Sequence, residues 1–268
     1  MTAPYMAAGG LLRVYPATDP TGAGLVWAHG GAFVHGTLDM PEGDWVARQL
    51  AMRGTTVVSV DYRLTTETAH RFPAASDDVL AAWAWTREHA DELGILPATL
   101  AIGGASAGAN LAAGAILRLI EGGSAVPALA VLAYPTLLAE QAAPSPELRA
   151  MLLEDPEPDK FAPDRVRRMY EFYLGGSVDG APVAAVPGLA SAEVLAHFPP
   201  TIMVNSDVDE LRVSGEAFAD RLRAASRDVR VAIEPGTRHG HLNRPDEGSA
   251  ARASIERFAE RLRDLATP

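Results

Sequence analysis

Cysteine is absent from this 268-residue chain, which excludes disulfides, thiolate metal sites and cysteine nucleophiles. Positive charge is scarce. Lysine occurs once, at Lys160, and 23 Lys and Arg stand against 34 Asp and Glu, a net charge of −11. Nucleic acids are bound through clustered Lys and Arg that release counterions, so no nucleic-acid partner is expected. The same balance disfavours anionic membranes and polyanionic substrates. Long apolar runs are missing too. The longest, 125–139, is interrupted by Pro127 and Pro135 and falls short of the ~20 residues that span a bilayer. The opening MTAPYMAAGG has neither a basic start nor a sustained apolar stretch, so a cytoplasmic protein without membrane insertion is expected. Plentiful arginine and alanine beside a single lysine fit a GC-rich genome, with adaptation to salt as the alternative.

What is present is ordinary globular material: 48% hydrophobic and 21% charged residues, in a chain long enough to bury most of its apolar surface. Short apolar or β-branched runs near 11–14, 24–28, 56–60, 99–102, 129–133, 201–205 and 229–234 alternate with helical patterns. That alternation predicts an α/β fold with a mostly parallel sheet flanked by helices. Val79, Leu80, Trp83, Ala90 and Leu93 make one apolar stripe and predict a helix over 77–93; Ile255, Phe258, Leu262 and Leu265 predict another at the C-terminus. Residues 139–180, rich in Pro, Glu and Asp, break the rhythm. Amphipathic pieces at 148–153 and 166–173 predict two short helices inserted between strands, where an insertion would lie over the ligand crevice.

Gly104-Ala105-Ser106-Ala107-Gly108 lies between an apolar strand and a run of helix formers, 110–119. Such a strand-turn-helix can hold a serine in strained geometry at a helix N-terminus, ready to react. Small residues also serve close packing, so the stretch alone leaves both readings open. Upstream, His29-Gly30-Gly31-Ala32-Phe33 follows the strand GLVWA, and backbone N–H groups in a turn of small residues can reach a developing oxyanion. A serine needs a base, and the base an orienting carboxylate. His239 lies in GTRHGHLN just past a strand, with His241 as its rival; Asp207 and Asp209 follow the strand TIMVN, with Glu210 beside them. Periodicity does not choose between the two aspartates. His35, His70, His89 and His197 read as surface or structural residues, and Asp61 and Asp78 as loop or helix-cap residues.

These segments together resemble the hormone-sensitive-lipase-like branch of the α/β-hydrolase superfamily, bacterial carboxylesterases marked by a His-Gly-Gly-Gly motif. The match runs in order over nearly the whole chain: HGGAF from His29, DYRL from Asp61, RFPAASDDV from Arg71, GASAGANLAA from Gly104, AYP from Ala133, FPPTIMV from Phe198, DELRVSGEAFADRL from Asp209 and HG at His239. Anchored on Leu211 and Gly215, the resemblance implies Asp209 as the acid, with Ser106 and His239 completing a triad. It implies the N–H groups of Gly31, Ala32 and Ala107 as oxyanion donors. Three departures stand out: Ala32 replaces the third glycine, Ala105 precedes the serine where Asp or Thr is common, and TTETAH replaces Ala-Pro-Glu-His after the Tyr-Arg-Leu segment. His29 comes so early that the helical N-terminal part of the family's cap is expected to be missing.

The expectation is a single α/β-hydrolase domain over 1–268, with a cap insertion at about 139–180 and an open acyl or alcohol pocket unless a second copy in a homodimer covers it. The implied activity is hydrolysis of small neutral, short-chain esters through an acyl-enzyme, without metal or cofactor. A histidine acting as neutral base predicts loss of activity on acidification. A thioesterase, a peptidase or a tailoring hydrolase of secondary metabolites would use the same three residues. A non-catalytic small-molecule receptor on this fold loses the histidine, whereas all three positions are filled here.

Overall fold

The apolar runs form one eight-stranded sheet in the computed structural model, which describes residues 3–155 and 160–266. The strands are β1 (Tyr5–Ala7), β2 (Leu12–Tyr15), β3 (Gly24–Ala28), β4 (Thr56–Val60), β5 (Leu100–Ala105), β6 (Ala130–Ala133), β7 (Thr201–Val208) and β8 (Val229–Arg238). Their order is β1-β2-β4-β3-β5-β6-β7-β8. β1 and β2 pair antiparallel, as do β2 and β4; every other pair is parallel. This is the α/β architecture the alternation predicts.

Parallel strands are covered on both faces, so their residues are buried without a break, as in β3 and β4. Alternate residues serve opposite faces. Leu25 and Trp27 pack with Val46 and Leu50 of α1 (Asp44–Ala51) and with Ile255 and Phe258 of α8 (Ala250–Ala266). Val26 and Ala28 pack with Val79 of α2 (Ala74–Glu88), Leu111 and Ile116 of α3 (Ala107–Glu121) and Phe218 of α7 (Arg212–Ala224). Between β6 and β7 lie α4 (Pro146–Leu153), α5 (Pro163–Leu174) and the single turn α6 (Ala192–Leu195). Both helices expected in 139–180 are thus present, each a few residues longer, while residues 156–159 of that stretch lie outside the described residues.

Several elements differ from expectation. β1 was not anticipated, because it is a three-residue edge strand whose Tyr5 and Met6 stay exposed and leave no burial pattern. α2 begins directly after Pro73 and ends at Glu88, short of 93. The stripe continues through turns rather than helix: the chain reverses at Gly94, with φ +66, and Ala90 is buried from that turn. β7 and β8 run past 205 and 234 because they stay paired across a register shift between Ser206 and Val208. The consequence is positional. His29, Ser106, Asp209 and His239 each follow the last residue of a parallel strand, at the carboxyl edge where α/β sheets bind ligands.

Candidate active site

Ser106 joins β5 to α3 with φ 52 and ψ −116, a left-handed geometry that costs a non-glycine residue about 1–3 kcal/mol. Its N–H donates to Ala133 O at 2.9 Å. The flanking glycines make the turn sterically feasible. A Cβ on Gly108 would lie 2.1 Å from Ala28 O, and one on Gly104 2.4 Å from the Gly108 carbonyl carbon. Close packing and the strained serine position are therefore two effects of one motif.

His239 Nε2 lies 2.9 Å from Ser106 Oγ, and His239 Nδ1 lies 2.7 Å from Asp209 Oδ2. With a carboxylate at Nδ1, the proton belongs on that nitrogen and Nε2 is free to accept from the hydroxyl. Asp209 is fully buried, and its Oδ1 accepts the Leu211 N–H at 2.9 Å. The edges of Tyr134 and Phe161 hold the His239 ring, with centroids at 5.0 and 4.5 Å. The residues that the resemblance implies are thus brought together in one hydrogen-bonded line.

The rivals are occupied elsewhere. Asp207 pairs with Arg212 at 3.1 Å and accepts the Gly236 N–H at 2.9 Å, so it closes the irregular β7–β8 pairing. His241 is buried between two hydroxyls, Nδ1 at 2.9 Å from Ser206 Oγ and Nε2 at 2.8 Å from Ser254 Oγ. Burial, reinforced by His239 and Arg244, pushes its pKa down to about 3. His35, His70 and His197 are exposed, and His89 stacks on Trp85.

The turn after β3 bends sharply. Gly31 has φ +130, and a Cβ there would lie 2.0 Å from His35 O. Ala32 and Phe33 follow with φ 52 and 67, so Ala32 adopts a left-handed backbone of the kind that favours glycine. Gly31 O accepts from Val34 N at 3.0 Å and His35 N at 2.8 Å, while among the described residues the Gly31 and Ala32 N–H groups have no acceptor. Ala107, first residue of α3, has an N–H without an intrahelical partner. Phe33 lies flat against Tyr173 of α5 at 3.9 Å, anchoring the turn from outside. His29 stacks on Tyr62, whose hydroxyl donates to His29 O at 2.9 Å; burial lowers the His29 pKa and keeps it neutral.

Ser106 keeps 7% of its exposure. A cleft of about 540 Å³ borders His239 and is lined by Met151, Leu152, Phe161, Val208 and Arg238, with Ser106 outside its lining. β1 lies at the sheet edge, with three strands between it and β5, so residues 3–10 do not cover the serine.

Four polar residues around the site escaped the sequence reading: Glu42, Asn110, Tyr134 and Tyr170. Asn110 Nδ2 donates to Thr136 O, Tyr170 Oη and Ala185 O at 3.0, 3.0 and 3.1 Å. Asn110 and Tyr134 sit inside quoted motifs, but nothing in spacing shows what a buried amide or phenol will meet.

The sequence profile of the alpha/beta hydrolase fold family matches residues 25–243. The chain belongs to the α/β-hydrolase family. Among its relatives, Carboxylesterase NlhH of Mycobacterium tuberculosis is 34% identical over 228 residues, 82% of this chain and 66% of the relative. The chain thus spans just under two thirds of that protein. Ethyl acetate hydrolase of Pseudomonas putida is 35% identical over 239 residues, 86% of this chain and 71% of the relative. The crystal structure of esterase LipW from Mycobacterium marinum superposes with a TM-score of 0.83 at 28% identity, covering 99% of this α/β-hydrolase and 81% of that chain. Among the described residues of the α/β-hydrolase, no helix is long and apolar enough to cross a membrane.

Proposed function

We propose that this α/β-hydrolase is a serine carboxylesterase acting on small neutral esters through an acyl-enzyme. The observation that carries the reading is the line from Ser106 Oγ through His239 to Asp209, with contacts of 2.9 and 2.7 Å. The names of the relatives support it, since two are a carboxylesterase and an ethyl acetate hydrolase.

In the proposed reaction Ser106 Oγ adds to the ester carbonyl carbon while its proton passes to His239 Nε2. Asp209 holds the ring and stabilises the imidazolium. The N–H groups of Gly31, Ala32 and Ala107 receive the oxyanion. Collapse of the tetrahedral intermediate breaks the bond to the alkoxy oxygen, and His239 returns the proton to the departing alcohol. Water then adds to the acyl-serine with His239 again as base, releasing the acid and restoring Ser106.

We extend the reading to the organisation of the chain: one catalytic domain in which 139–180 caps the cleft. The packing of Phe161 on His239 supports this. The test is turnover of p-nitrophenyl esters of increasing acyl length by the wild-type chain and Ser106→Ala. The expected result is fastest hydrolysis of the short esters and a fall in kcat of roughly 10⁴ or more in the variant, by analogy with other triads. Retained esterase activity in Ser106→Ala refutes the assignment.

A further inference from the structure

Glu42 has no part in the scheme above, yet it is a carboxylate with 2% exposure beside the reacting groups. Its Oε2 accepts the Gly30 N–H at 2.7 Å and its Oε1 accepts the Tyr134 hydroxyl at 2.6 Å. Its backbone is fixed as well: the Glu42 N–H donates to Asn243 Oδ1 at 3.1 Å, and Trp27 Nε1 donates to Glu42 O at 2.7 Å. Burying a carboxylate costs several kcal/mol unless hydrogen bonds replace its water, and an apolar side chain of similar volume is often the more stable choice. Here both donors are neutral and each oxygen has one, the pattern of an acceptor-only, ionised group.

The placement shows what that arrangement joins. A Cβ built on Gly30 would lie 2.6 Å from Glu42 Oε2 and 3.1 Å from Ser106 Cβ, so carboxylate and nucleophile flank the same stretch of backbone. A Cβ built on Gly240, next to His239, would lie 3.9 Å from Glu42 Oε1. Tyr134, fixed at φ 32 with its N–H on Val204 O at 2.6 Å, sets its ring edge-on to His239 and His241, each at 5.0 Å. One buried side chain therefore binds the base of the donor turn and the phenol against the histidine ring, while its backbone N–H binds Asn243 in the loop that carries that histidine.

We propose that Glu42 is a positioning residue for ester hydrolysis, tying Gly30 below the Gly31–Ala32 donors to the Tyr134 ring beside His239, so that donors and base keep register around Ser106. This rests on the esterase reading. A carboxylate suits the task because two donors converge on it. A carboxamide offers one acceptor, which can keep the Gly30 N–H only if its amino group meets Tyr134 and reverses that hydrogen bond. Alanine loses both ties.

The test compares wild type, Glu42→Gln and Glu42→Ala in three measurements: kcat and KM on p-nitrophenyl acetate, inhibition by a short-chain trifluoromethyl ketone, and Tm. The ketone reports on the donors and base together, because Ser106 Oγ adds to its carbonyl carbon, the proton goes to His239, and a tetrahedral oxyanion remains. An alkyl amide of the same chain length, which binds without adding, serves as reference. Misplacing reacting groups by about 1 Å can cost 10²-fold. The expected result for Glu42→Ala is therefore a loss of roughly 10- to 100-fold in kcat and in ketone affinity, with amide affinity and KM nearly unchanged; Glu42→Gln loses less, about 3- to 10-fold. A role in folding alone lowers Tm while leaving kcat and the ketone-to-amide ratio at wild-type values in every variant that is folded at the assay temperature, and that outcome overturns the proposal. If Glu42→Ala does not fold, Glu42→Gln decides by the same ratio. Absence of turnover by the wild-type chain sinks the esterase reading itself, whereas wild-type turnover with an unchanged ratio sinks the Glu42 proposal alone.

Discussion

Asp207 and Asp209 follow the same strand two positions apart, and the register shift after Ser206 sends them to different tasks. Asp207 turns towards β8 and Arg212, while Asp209 turns inwards and meets His239 Nδ1. Asp209→Asn leaves the side-chain volume but favours the wrong histidine tautomer, so under the proposed mechanism kcat should fall by about 10⁴, the size of that change in a Ser-His-Asp triad. Asp207→Asn keeps an acceptor for Gly236 and loses only a partly exposed ion pair, worth about 0.2–1 kcal/mol, so kcat should stay within a few-fold of wild type. Steady-state kinetics on p-nitrophenyl acetate distinguishes the two, and equal losses would show that the assignment of the acid is wrong. Ser106 and His239 stand out because each follows a strand in a distinctive small-residue or turn setting. The choice between two neighbouring aspartates depends on a bulge, and strand pairing of that kind leaves no trace in residue spacing. Only the resemblance, anchored on Leu211 and Gly215, separated them. Glu42 left still less trace, since a lone glutamate after a turn looks like any solvated one.

The turn after β3, proposed to supply the oxyanion donors, is held by an element far from it in sequence. α5 presents Tyr173 to the Phe33 ring at 3.9 Å, and Tyr170 one turn earlier donates to Thr136 O at 2.9 Å while accepting from Asn110 Nδ2 at 3.0 Å. These bonds fasten α5 to α3 and to the end of β6. Tyr170→Phe keeps the ring and its packing but strips the hydroxyl, leaving Thr136 O and Asn110 Nδ2 with fewer partners in a buried site. Such a deletion costs about 1–3 kcal/mol, which urea unfolding should register as a lower midpoint at unchanged m-value. A stability within 0.3 kcal/mol of wild type, well below that range, would show that α5 is held by packing alone. The helix itself was legible, because Val166, Tyr170 and Tyr173 repeat at helical spacing and Pro163 opens the first turn. Its partner was not. Periodicity reports which face is buried and is silent about which of several apolar surfaces buries it, just as it extended α2 through turns that share its spacing and passed over β1, whose side chains remain exposed.

For the whole molecule, two buried histidines contribute to the response to acid. His241 and His29 are both held neutral, chiefly by burial, with the His241 pKa pushed down to about 3. In the unfolded chain an imidazole takes up its proton near pH 6.5. Between pH 6.5 and about 3 the unfolded state therefore binds a proton at His241 that the folded state refuses. The contribution is fully present above pH 6.5 and is lost as pH falls, at about 1.4 kcal/mol per pH unit for each such group. The net charge of −11 works in the opposite direction, because protonating surface carboxylates relieves repulsion in the folded state. A variant isolates the histidine term from that background. His241→Gln keeps a polar side chain between Ser206 and Ser254 but has no proton to gain, so it is expected to be less stable than wild type at pH 7.5 through poorer fit. Its stability should then fall less steeply on acidification, the difference between the two chains shrinking by about 2 kcal/mol from pH 6.5 to 5, or 1.5 pH units at 1.4 kcal/mol each. Chemical denaturation at both pH values measures this directly. Parallel curves would show that His241 takes up its proton as readily in the folded chain as in the unfolded one, and its bridge between two hydroxyls would then carry charge against the Tyr134 ring that also meets His239.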